Sequence, residues 1–322
     1  MLHATLQQLR LFAAVARNGS FTRAAEEVHL TQPAVSIQVK RLEERVGLAL
    51  FEHVGRALHL TVAGQEVFAA CRDVLGRLDD LETALGDLQT GIAGPLKVTV
   101  ISSGKYFLPH LLGTFVRRHP KVEPKLEITN RAKLLARLEA NEDDLYIMGR
   151  VPDGLQVEEY PFLENVVVAV ARPDHPLAKE RSIPLARFVA EPYVGRERGS
   201  GTRKAVETVL AEHGLSVEPY IELDSAEAIK HGVMGGLGVA ALSLHALRLE
   251  LAAGELAILD VEAFPLRRQW YAVHRKGKRL SRAAQTFLDY LQNEGEAEVA
   301  HLLAEAPSTT SSTALTTEAD VA

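Results

Sequence analysis

The chain contains 322 residues, more than one ordinary domain needs, and this length predicts two or three structural units. The hydrophobic fraction of 47% predicts a soluble globular protein, and the net charge of −6 argues against a chain coated in nucleic acid. One cysteine excludes a disulfide framework. Neither a signal-peptide pattern nor a long apolar run is present, so we expect a cytoplasmic protein without a membrane span.

The N-terminal segment predicts two short helices. Apolar side chains recur at helical spacing from Leu6 to Ala16, and Gly19 then provides a common C-terminal stop. Ser20 or Thr22 can cap the second helix, because a side-chain oxygen at that position accepts from a free backbone N–H. The inner face of the second helix is made of Phe21, Ala24, Ala25 and Val28. Small alanines on this face allow two helices to cross closely.

A third helix is predicted after Thr31, which can cap it, and Pro33 lies in the first turn, where a missing N–H costs nothing. The apolar stripe that would pack on the first two helices consists of Val35, Val39, Leu42 and Val46. The opposite face carries groups that hydrogen-bond base edges or phosphates, and Ile37 on that face could meet a thymine methyl. This pattern favours a helix that reads DNA, although any small helix also shows polar residues to water.

Two short strand-like runs, 47–53 and 56–60, flank Val54-Gly55 and predict a hairpin, which would be the wing of a winged helix. Residues 1–60 are therefore the predicted DNA-binding domain. Residues 1–62 contain seven Lys or Arg and five acidic residues, a net charge of only +2. Attraction to phosphates is therefore weak, and dimerisation must supplement it. The predicted DNA contacts are Ser20, Thr22, Arg23, Thr31, Gln32, Pro33, Ser36, Ile37, Gln38, Lys40, Arg41, His53 and Arg56.

Residues 61–90 predict one long linker helix, which ends at a hinge in 91–95. Apolar residues alternate spacings of four and three along it, the pattern of a coiled-coil seam. Polar residues fill most other positions, and this favours a two-helix seam over a helix buried in a globular domain. The predicted dimerisation seam consists of Val67, Cys71, Val74, Leu78, Leu81, Leu85 and Leu88.

The remainder of the chain alternates strand-like and helical patterns, which predicts a parallel-rich α/β domain over 91–300. The strand candidates are 96–101, 126–129, 145–149, 166–171, 193–195, 221–224, 239–242, 257–259 and 270–273. The helix candidates are 106–118, 131–140, 202–213, 226–234, 244–252 and 281–294. The last segment, 301–322, contains a Ser/Thr-rich run and predicts a disordered tail.

Three segments of the α/β domain combine hydroxyl groups and free backbone N–H groups with a cation. They are 102–106, 129–131 and 199–203, and each lies where a strand ends or a helix begins. Helix N-termini with nearby cations favour an anionic ligand, although Ser, Thr and Asn also cap helices without binding anything. A fourth loop, 224–227, could line the same cleft or simply cap a helix. The predicted ligand contacts in these four segments are Ser102, Ser103, Lys105, Tyr106, Thr129, Asn130, Arg131, Ser200, Gly201, Thr202, Arg203, Ser225 and Glu227. Met148 and Gly149, at the end of the strand candidate 145–149, complete the predicted set.

Common enzyme motifs are missing from the sequence. It contains no nucleophile elbow, no zinc-protease motif and no P-loop, and its histidines are scattered without ligand spacing. The run 236–241 matches a dinucleotide fingerprint loosely but leads into a strand, the reverse of the required order. We therefore predict a protein that is not an enzyme and holds no metal or cofactor. A transport solute-binding protein is disfavoured by the N-terminal helical unit.

The chain resembles the LysR-type transcriptional regulators. The resemblance rests on Leu9-x-x-Phe12-x-x-Val15-Ala16, Ser20-Phe21-Thr22-x-Ala24-Ala25, Thr31-Gln32-Pro33-Ala34-Val35-Ser36-x-Gln38-Val39-x-x-Leu42-Glu43, Gly47-x-x-Leu50-Phe51 and Leu60-Thr61-x-Ala63-Gly64. One departure is His53, because the family often has Arg shortly after the Leu-Phe pair. The resemblance implies an N-terminal winged helix-turn-helix, a linker helix, and an α/β effector domain like the periplasmic solute-binding proteins.

This effector domain would have two subdomains joined by crossing strands, one formed by 96–165 and 268–300 and the other by 166–267. Within the family the chain is similar to the RuBisCO operon regulators. That similarity rests on Thr129-Asn130-Arg131, Glu139-Ala140-Asn141-Glu142, Ile147-Met148-Gly149-Arg150, Gly199-Ser200-Gly201-Thr202-Arg203, Glu227-Ala228-Ile229-Lys230 and the run 268–278.

The similarity implies a homodimer or homotetramer that binds promoter DNA, contacts RNA polymerase and activates carbon-fixation genes. Its effector would be NADPH, phosphoenolpyruvate or a phosphorylated sugar. The alternative is a LysR-type regulator of aromatic catabolism or amino-acid metabolism with a carboxylate effector.

Overall fold

A computed structural model describes residues 4–55, 57–90, 92–152 and 154–304 of the chain. The predicted DNA contact Arg56 and residues 305–322 of the predicted tail lie outside these ranges. Residues 301–304 belong to the last helix, whereas the sequence predicted them as part of a disordered tail.

The N-terminal domain is a three-helix unit followed by a hairpin. Its elements are α1 (Leu6–Asn18), α2 (Phe21–Glu27), α3 (Gln32–Val46), β1 (Phe51–Val54) and β2 (Ala57–Leu60). Thr5 and Gln8 form a reciprocal cap at the start of α1, and Gly19 ends that helix in the left-handed conformation. Phe12 is fully buried and packs against Phe51 of the wing, with ring centroids 5.2 Å apart. This contact fixes the wing against the helices.

The first wing strand begins at Phe51, four residues after the start that the sequence predicted. One carboxylate oxygen of Glu43, near the end of α3, accepts from the backbone N–H groups of Leu50 (2.8 Å) and Phe51 (3.3 Å). These bonds tie the chain to α3, and the two strands pair only from Phe51 onward.

The linker helix is α4 (Val62–Thr90). Cys71 is buried in the core of the N-terminal domain, and Val67 packs against the same core. This part of the predicted dimer seam is therefore covered by the chain's own residues. Further along, Val74, Leu81 and Leu85 are exposed and remain available to a partner helix, as the prediction requires. The side chain of Leu88 lies outside the described part of the structure.

The C-terminal domain alternates strands and helices as the sequence predicted. Its elements are β3 (Gly94–Ile101), α5 (Leu108–Arg118), β4 (Val122–Thr129), α6 (Arg131–Glu139), β5 (Leu145–Met148), β6 (Val157–Ala171), α7 (Leu185–Val189), β7 (Val194–Arg196), α8 (Gly201–Glu212), β8 (Ile221–Leu223), α9 (Ala226–Met234), β9 (Ala240–Ser243), α10 (Arg248–Ala252), β10 (Ala257–Ile258), β11 (Leu266–Arg275) and α11 (Arg282–Ala304). Single 3-10 turns occur at 102–106, 176–179 and 244–246.

Two long strands, β6 and β11, run antiparallel from one subdomain into the other. Their register extends from Val167 opposite Leu266 to Val157 opposite Arg275, with a shift between Trp270 and Tyr271. Next to β11 lies β5, which pairs with it antiparallel, and β3 and β4 then continue the sheet with parallel pairing. β9 pairs with the edge of β6 opposite β11, and β10 pairs with β6 at Val170 and Ala171 on the same edge as β11. A cavity that includes Arg268 of β11 lies beside this crossing.

The segment 157–165 of β6 was not predicted as strand. It carries acidic side chains at Glu158, Glu159 and Glu164, so it lacks the continuous apolar run that marks 166–171. Its partner β11 supplies a full ladder of paired residues, and that pairing extends the strand regardless of its polar face. The short helix α7 was also missed.

Separate apolar cores support the two subdomains. Trp270 and Phe107 are fully buried in the first subdomain, with ring centroids 5.0 Å apart. The second subdomain packs its sheet between two clusters, around Phe188 on one face and Ile229 on the other. Each half therefore has its own core, and contacts of Tyr106 and Phe107 with residues of the second subdomain join the two.

We expect Gly64→Ala to destabilise the N-terminal domain. A methyl group at Gly64 would lie 2.0 Å from the backbone oxygen of Leu50, which cannot move aside as a flexible side chain would. The expected loss is at least about 2 kcal/mol, measured by thermal unfolding of the full chain. The control is Gly113→Ala in α5, where the nearest atom lies 3.8 Å away and unchanged or slightly higher stability is expected. Equal unfolding temperatures for the two variants would contradict the close approach.

We expect the Cys71 thiol to resist modification in the native protein. Burial raises its pKa to about 11, so at pH 8 only about one thiol in a thousand is ionised. Reaction with a disulfide reagent at pH 8 should be at least about a hundredfold slower in the native protein than in guanidinium. The variant Cys71→Ser has no thiol and gives the background rate of the reagent. Rapid reaction of the native protein would show that Cys71 is accessible.

Candidate functional site

The first candidate site is the outward face of α3. Gln32, Ile37, Lys40 and Arg41 are exposed, and Ser36 is half-buried beside them. The opposite face is fixed by buried Val35, Val39 and Leu42, which fits the predicted stripe. The helix therefore presents polar and cationic groups on a rigid support, which is the arrangement that base-edge recognition needs.

Hydrogen bonds from α1 hold this helix in place. Gln8 is buried, and its amide nitrogen donates to the Gln38 side-chain oxygen at 3.3 Å. Arg45 donates to the side-chain oxygen of Gln8 at 3.2 Å. The side-chain oxygen of Gln38 accepts this bond, so Gln38 helps to position α3. Its predicted contact with DNA stays a prediction.

The remaining predicted DNA contacts lie at the edges of this face. Ser20 caps α2 by accepting from the backbone N–H of Arg23 at 3.4 Å, and Thr22 and Arg23 are exposed in the first turn. Thr31 precedes α3 without a side-chain cap bond, and Pro33 occupies the first turn. His53 is exposed on the wing.

The second candidate site is a cavity of about 580 Å³ between the subdomains. Its lining combines six cations with one carboxylate and the start of α8. The residues are Arg131, Arg150, Pro152, Arg198, Gly199, Ser200, Gly201, Arg203, Lys204, Glu207 and Arg268. The carboxylate of Glu207 is 2.8 Å from Arg203, which also binds Glu222, so the charge of Arg203 is largely offset within its own subdomain.

Arg268, one of the lining residues, links the two subdomains. Its guanidinium donates to the backbone oxygen of Gly201 at 2.8 Å and to that of Gly149 at 3.4 Å. These two acceptors lie on opposite subdomains and carry no net charge. Arg268 lies on the crossing strand β11, which runs through both subdomains.

The guanidinium groups of Arg131, Arg150 and Arg268 repel one another. Burial lowers the pKa of Arg131, and the charge of Arg150 lowers it further. Burial also lowers the pKa of Arg268, and Arg150 and Arg131 add to the effect. A bound anion would raise both pKa values, because it favours the charged form of each group. A negatively charged ligand is therefore the kind that this cluster favours.

The N-terminus of α8 faces the same cavity. Ser200 precedes the helix, but its side chain makes no cap hydrogen bond. The first N–H groups of this twelve-residue helix therefore have no side-chain cap, and together with the helix dipole they favour an anion.

A second, smaller cavity of about 30 Å³ continues inward from the first. Its lining includes Ser102, Ser103, Asn165 and Arg196. Arg196 donates to the Ser102 hydroxyl at 3.4 Å and pairs with Glu197 at 2.7 Å, so it connects the subdomains. A volume this small holds about one water molecule.

Eight of the predicted effector contacts line these cavities. They are Ser102, Ser103, Arg131, Gly149, Ser200, Gly201, Thr202 and Arg203. Met148 is fully buried in an apolar cluster. Asn130 and Ser225 cap α6 and α9 by accepting from the backbone N–H groups of Lys133 and Ala228. Thr129 ends β4 and is not among the lining residues.

Lys105, Tyr106 and Glu227 form a contact between the subdomains, away from the cavity. The Lys105 ammonium is 3.7 Å from the Glu227 carboxylate and 5.1 Å from the centre of the Tyr106 ring. Lys230, which is 3% exposed, lies 3.1 Å from Glu227 and 2.7 Å from Glu250. The fourth predicted loop therefore fastens the subdomains together.

The sequence reasoning did not assign Arg150, Arg196, Arg198, Lys204 and Arg268 to the site. Arg150 follows the carboxyl end of β5 almost directly, the position where ligands bind open α/β sheets, and this signal could have identified it. Arg268 carried no such signal, because only the register of β11 against β6 brings it to the cleft.

Within the described ranges, no cluster of three or more His, Cys, Asp or Glu side chains is arranged to hold a metal ion. None of the helices in that part of the chain is both long enough and apolar enough to cross a membrane.

The N-terminal domain has the helical arrangement of a DNA-binding domain, and the C-terminal domain has a cationic cavity between two subdomains. Together they define a DNA-binding regulator that responds to a ligand. Comparison with known families agrees with this class. Residues 6–65 match the bacterial regulatory helix-turn-helix protein, lysR family, and residues 89–296 match the LysR substrate binding domain. The chain therefore belongs to the LysR family of transcriptional regulators, and the predicted fold class and family are confirmed.

Two relatives are similar along most of their length. The HTH-type transcriptional activator CmpR of Synechocystis sp. is 49% identical over 297 residues, which cover 92% of this chain and 98% of that protein. The RuBisCO operon transcriptional regulator of Acidithiobacillus ferrooxidans is 49% identical over 289 residues, 90% of this chain and 94% of that one.

Among solved structures, the CcmR regulatory domain of Synechocystis PCC6803 in complex with 2-PG is 45% identical with a TM-score of 0.59. The match covers 62% of this chain and 96% of that one.

Proposed function

We propose that this LysR-family regulator activates genes of carbon dioxide fixation, including a RuBisCO operon, in response to a small anion. The proposal that the ligand is an anion rests on one observation. Arg131, Arg150 and Arg268 line the same cavity as the N-terminus of α8, which has no side-chain cap. Support for the regulon comes from the two relatives that match nearly the whole chain, one named as a RuBisCO operon regulator.

The DNA-binding part of the proposal rests on α3 and the wing. Exposed Gln32, Lys40 and Arg41 would face the major groove, and His53 would approach the phosphate backbone from the wing. Arg56, which adjoins the described wing residues, belongs to the same proposed contact. The protein would act in the cytoplasm, where its promoter DNA is found.

Dimerisation is part of the same proposal. The exposed side chains of Val74, Leu81 and Leu85 lie seven and four residues apart along α4, and a second copy of the helix would cover them. A dimer places two copies of α3 on successive half-sites, and pairing of effector domains would give a homotetramer that contacts RNA polymerase. Two copies also compensate for the low positive charge of each DNA-binding domain.

The effector would bind between the subdomains and change their angle. Arg268 donates to both halves, so an anion beside it competes for the same guanidinium and alters the link between Gly149 and Gly201. The small inner cavity behind Ser102 would open or close with this movement. Such a ligand shifts the equilibrium only by as much as it prefers one arrangement over the other.

The proposed ligand is a small phosphorylated or carboxylated metabolite. The CcmR regulatory domain, with 45% identity, was solved with 2-PG, and the cationic cavity here suits an anion of that kind. Phosphoenolpyruvate, a phosphorylated sugar and NADPH are further candidates. A cavity of about 580 Å³ has room for a larger molecule than 2-PG, so NADPH requires its own test. The alternative is a regulator of aromatic or amino-acid metabolism with a carboxylate effector.

We expect Gln32→Ala and Ser36→Ala each to weaken binding to the preferred operator. Each change should remove about 1–3 kcal/mol of discrimination, because base-edge contacts carry sequence preference. The measurement is a gel shift at physiological salt with an operator selected from random DNA by the unaltered protein. Gln65→Ala, an exposed glutamine on α4, is the matched control and should change nothing. Unaltered binding by both α3 variants would show that α3 does not read the operator.

We expect Arg131→Gln and Arg268→Gln to weaken effector binding at least about tenfold each, since a charge-assisted hydrogen bond contributes roughly 1.5–3 kcal/mol. The measurement is the dissociation constant of each ligand, from calorimetric titration of the full chain with 2-PG, phosphoenolpyruvate, NADPH and an aromatic carboxylate. Lys133→Gln, an exposed lysine in the same helix as Arg131, should bind as the unaltered protein does. Binding of the aromatic carboxylate alone would favour the alternative regulon.

A further inference from the structure

We propose that four side chains outside the cleft control how tightly the cleft binds its anion. Lys105 and Tyr106 of the first subdomain meet Glu227 and Lys230 of the second, and we call this contact the latch. Its members are positioning residues, because they act on the arrangement of the subdomains and not on the ligand. The effect on affinity rests on the proposed function, whereas the effect on the cleft can be measured with no ligand added.

Tyr106 belongs to the first subdomain but packs against the core of the second. It ends the 3-10 turn at 102–106, and its half-buried side chain packs against the apolar cluster that includes Ile229 and Val233 of α9. The next residue, Phe107, is fully buried, and its ring centre lies 5.4 Å from that of His245 in the second subdomain. The end of this turn is therefore a direct apolar contact between the two halves.

Two ammonium groups, one from each subdomain, lie over the Tyr106 ring. The Nζ atoms of Lys105 and Lys230 are each 5.1 Å from the ring centre. An aromatic face attracts a cation, and the attraction is larger where the cation has lost its water. Lys230 is only 3% exposed, so its contact with the ring is the stronger of the two.

Glu227 joins the two ammonium groups. Its carboxylate lies 3.1 Å from Lys230 on its own helix and 3.7 Å from Lys105 across the subdomain boundary. Lys230 is also 2.7 Å from Glu250, and these two carboxylates compensate the charge of the nearly buried ammonium. The more exposed pair of Glu227 and Lys105 contributes little by itself. The Tyr106 ring and Lys230 therefore supply most of the strength of the latch.

The other end of the same turn lies at the cleft. Ser102 lines the inner cavity, and its hydroxyl accepts from Arg196 of the second subdomain at 3.4 Å. A methyl group on Gly104 would lie 2.2 Å from the Val100 side chain, so the turn is packed closely on β3. Such a short and tightly packed turn connects the position of Tyr106 to that of Ser102.

The cleft draws its lining from both halves. Arg131 and Arg268 come from the first subdomain and residues 198–204 from the second, whereas the latch side chains are not among the lining residues. A ligand that contacts both halves binds only the arrangement that brings them together. Loosening the latch lowers the fraction of molecules in that arrangement, and the apparent affinity falls with that fraction.

The first measurement is hydrogen–deuterium exchange of the full chain with no ligand added. Tyr106→Leu keeps an apolar side chain but removes the ring. It should raise exchange at least about threefold in peptides covering 149–152 and 197–202, which adjoin the cleft and contain no latch residue. Tyr106→Phe keeps the ring and should exchange as the unaltered protein does. The matched control is Tyr220→Leu, a tyrosine of the second subdomain that is 72% exposed, and it should change nothing.

The second measurement is calorimetric titration of the same proteins with 2-PG. Tyr106→Leu should weaken binding about threefold to tenfold, while Tyr106→Phe and Tyr220→Leu stay within about twofold of the unaltered protein. Thermal unfolding shows whether each variant is folded. If Tyr106→Leu does not fold, Lys105→Gln removes one of the two cations at a partly exposed position and should cause smaller changes in the same directions.

Increased exchange confined to the turn and to the start of α9, with unchanged affinity for 2-PG, would overturn the proposal. Weaker binding of 2-PG without increased exchange at the cleft would also overturn it, because Tyr106 would then act on the ligand itself. If the unaltered protein bound no 2-PG, the choice of that anion would be wrong, and exchange at the cleft would still decide whether the latch controls it.

Discussion

The burial of like charges at Arg131, Arg150 and Arg268 is the constraint that dominates the cleft between the subdomains. Burial lowers the pKa values of Arg131 and Arg268, and the neighbouring guanidinium groups add to the effect. A negative charge in the cleft would offset part of this cost. Because the two backbone acceptors of Arg268 lie on different halves, a ligand that displaced its guanidinium would also change the link between the halves.

The crossing strands make that coupling possible. β6 and β11 pass through both subdomains, so a change of angle bends one continuous ladder and need not break a domain boundary. The register shift at Trp270 and Tyr271 lies within this ladder, close to Arg268. Outside the cleft, the buried Lys230 and its two carboxylate partners fasten the second subdomain beside Tyr106.

Much of this architecture could be predicted from sequence because it depends on local periodicity. The stripe of Val35, Val39 and Leu42 indicated which face of α3 is buried, and the strand–helix alternation indicated an α/β domain. The composition of the cleft could not be predicted, since Arg268 reaches it only through strand register. Periodicity also does not say which partner covers a stripe, and for this reason Cys71 was assigned to the dimer seam although it packs inside its own domain.

The helix α6 joins two regions that are otherwise far apart along the chain. Arg131 begins it in the cationic cleft, and the backbone oxygen of Glu139 at its other end accepts from Arg72 of the linker helix. Nine residues of α-helix form a stiff rod of about 13 Å. A displacement of α6 along its axis would therefore change the cleft and the contact with the linker helix together.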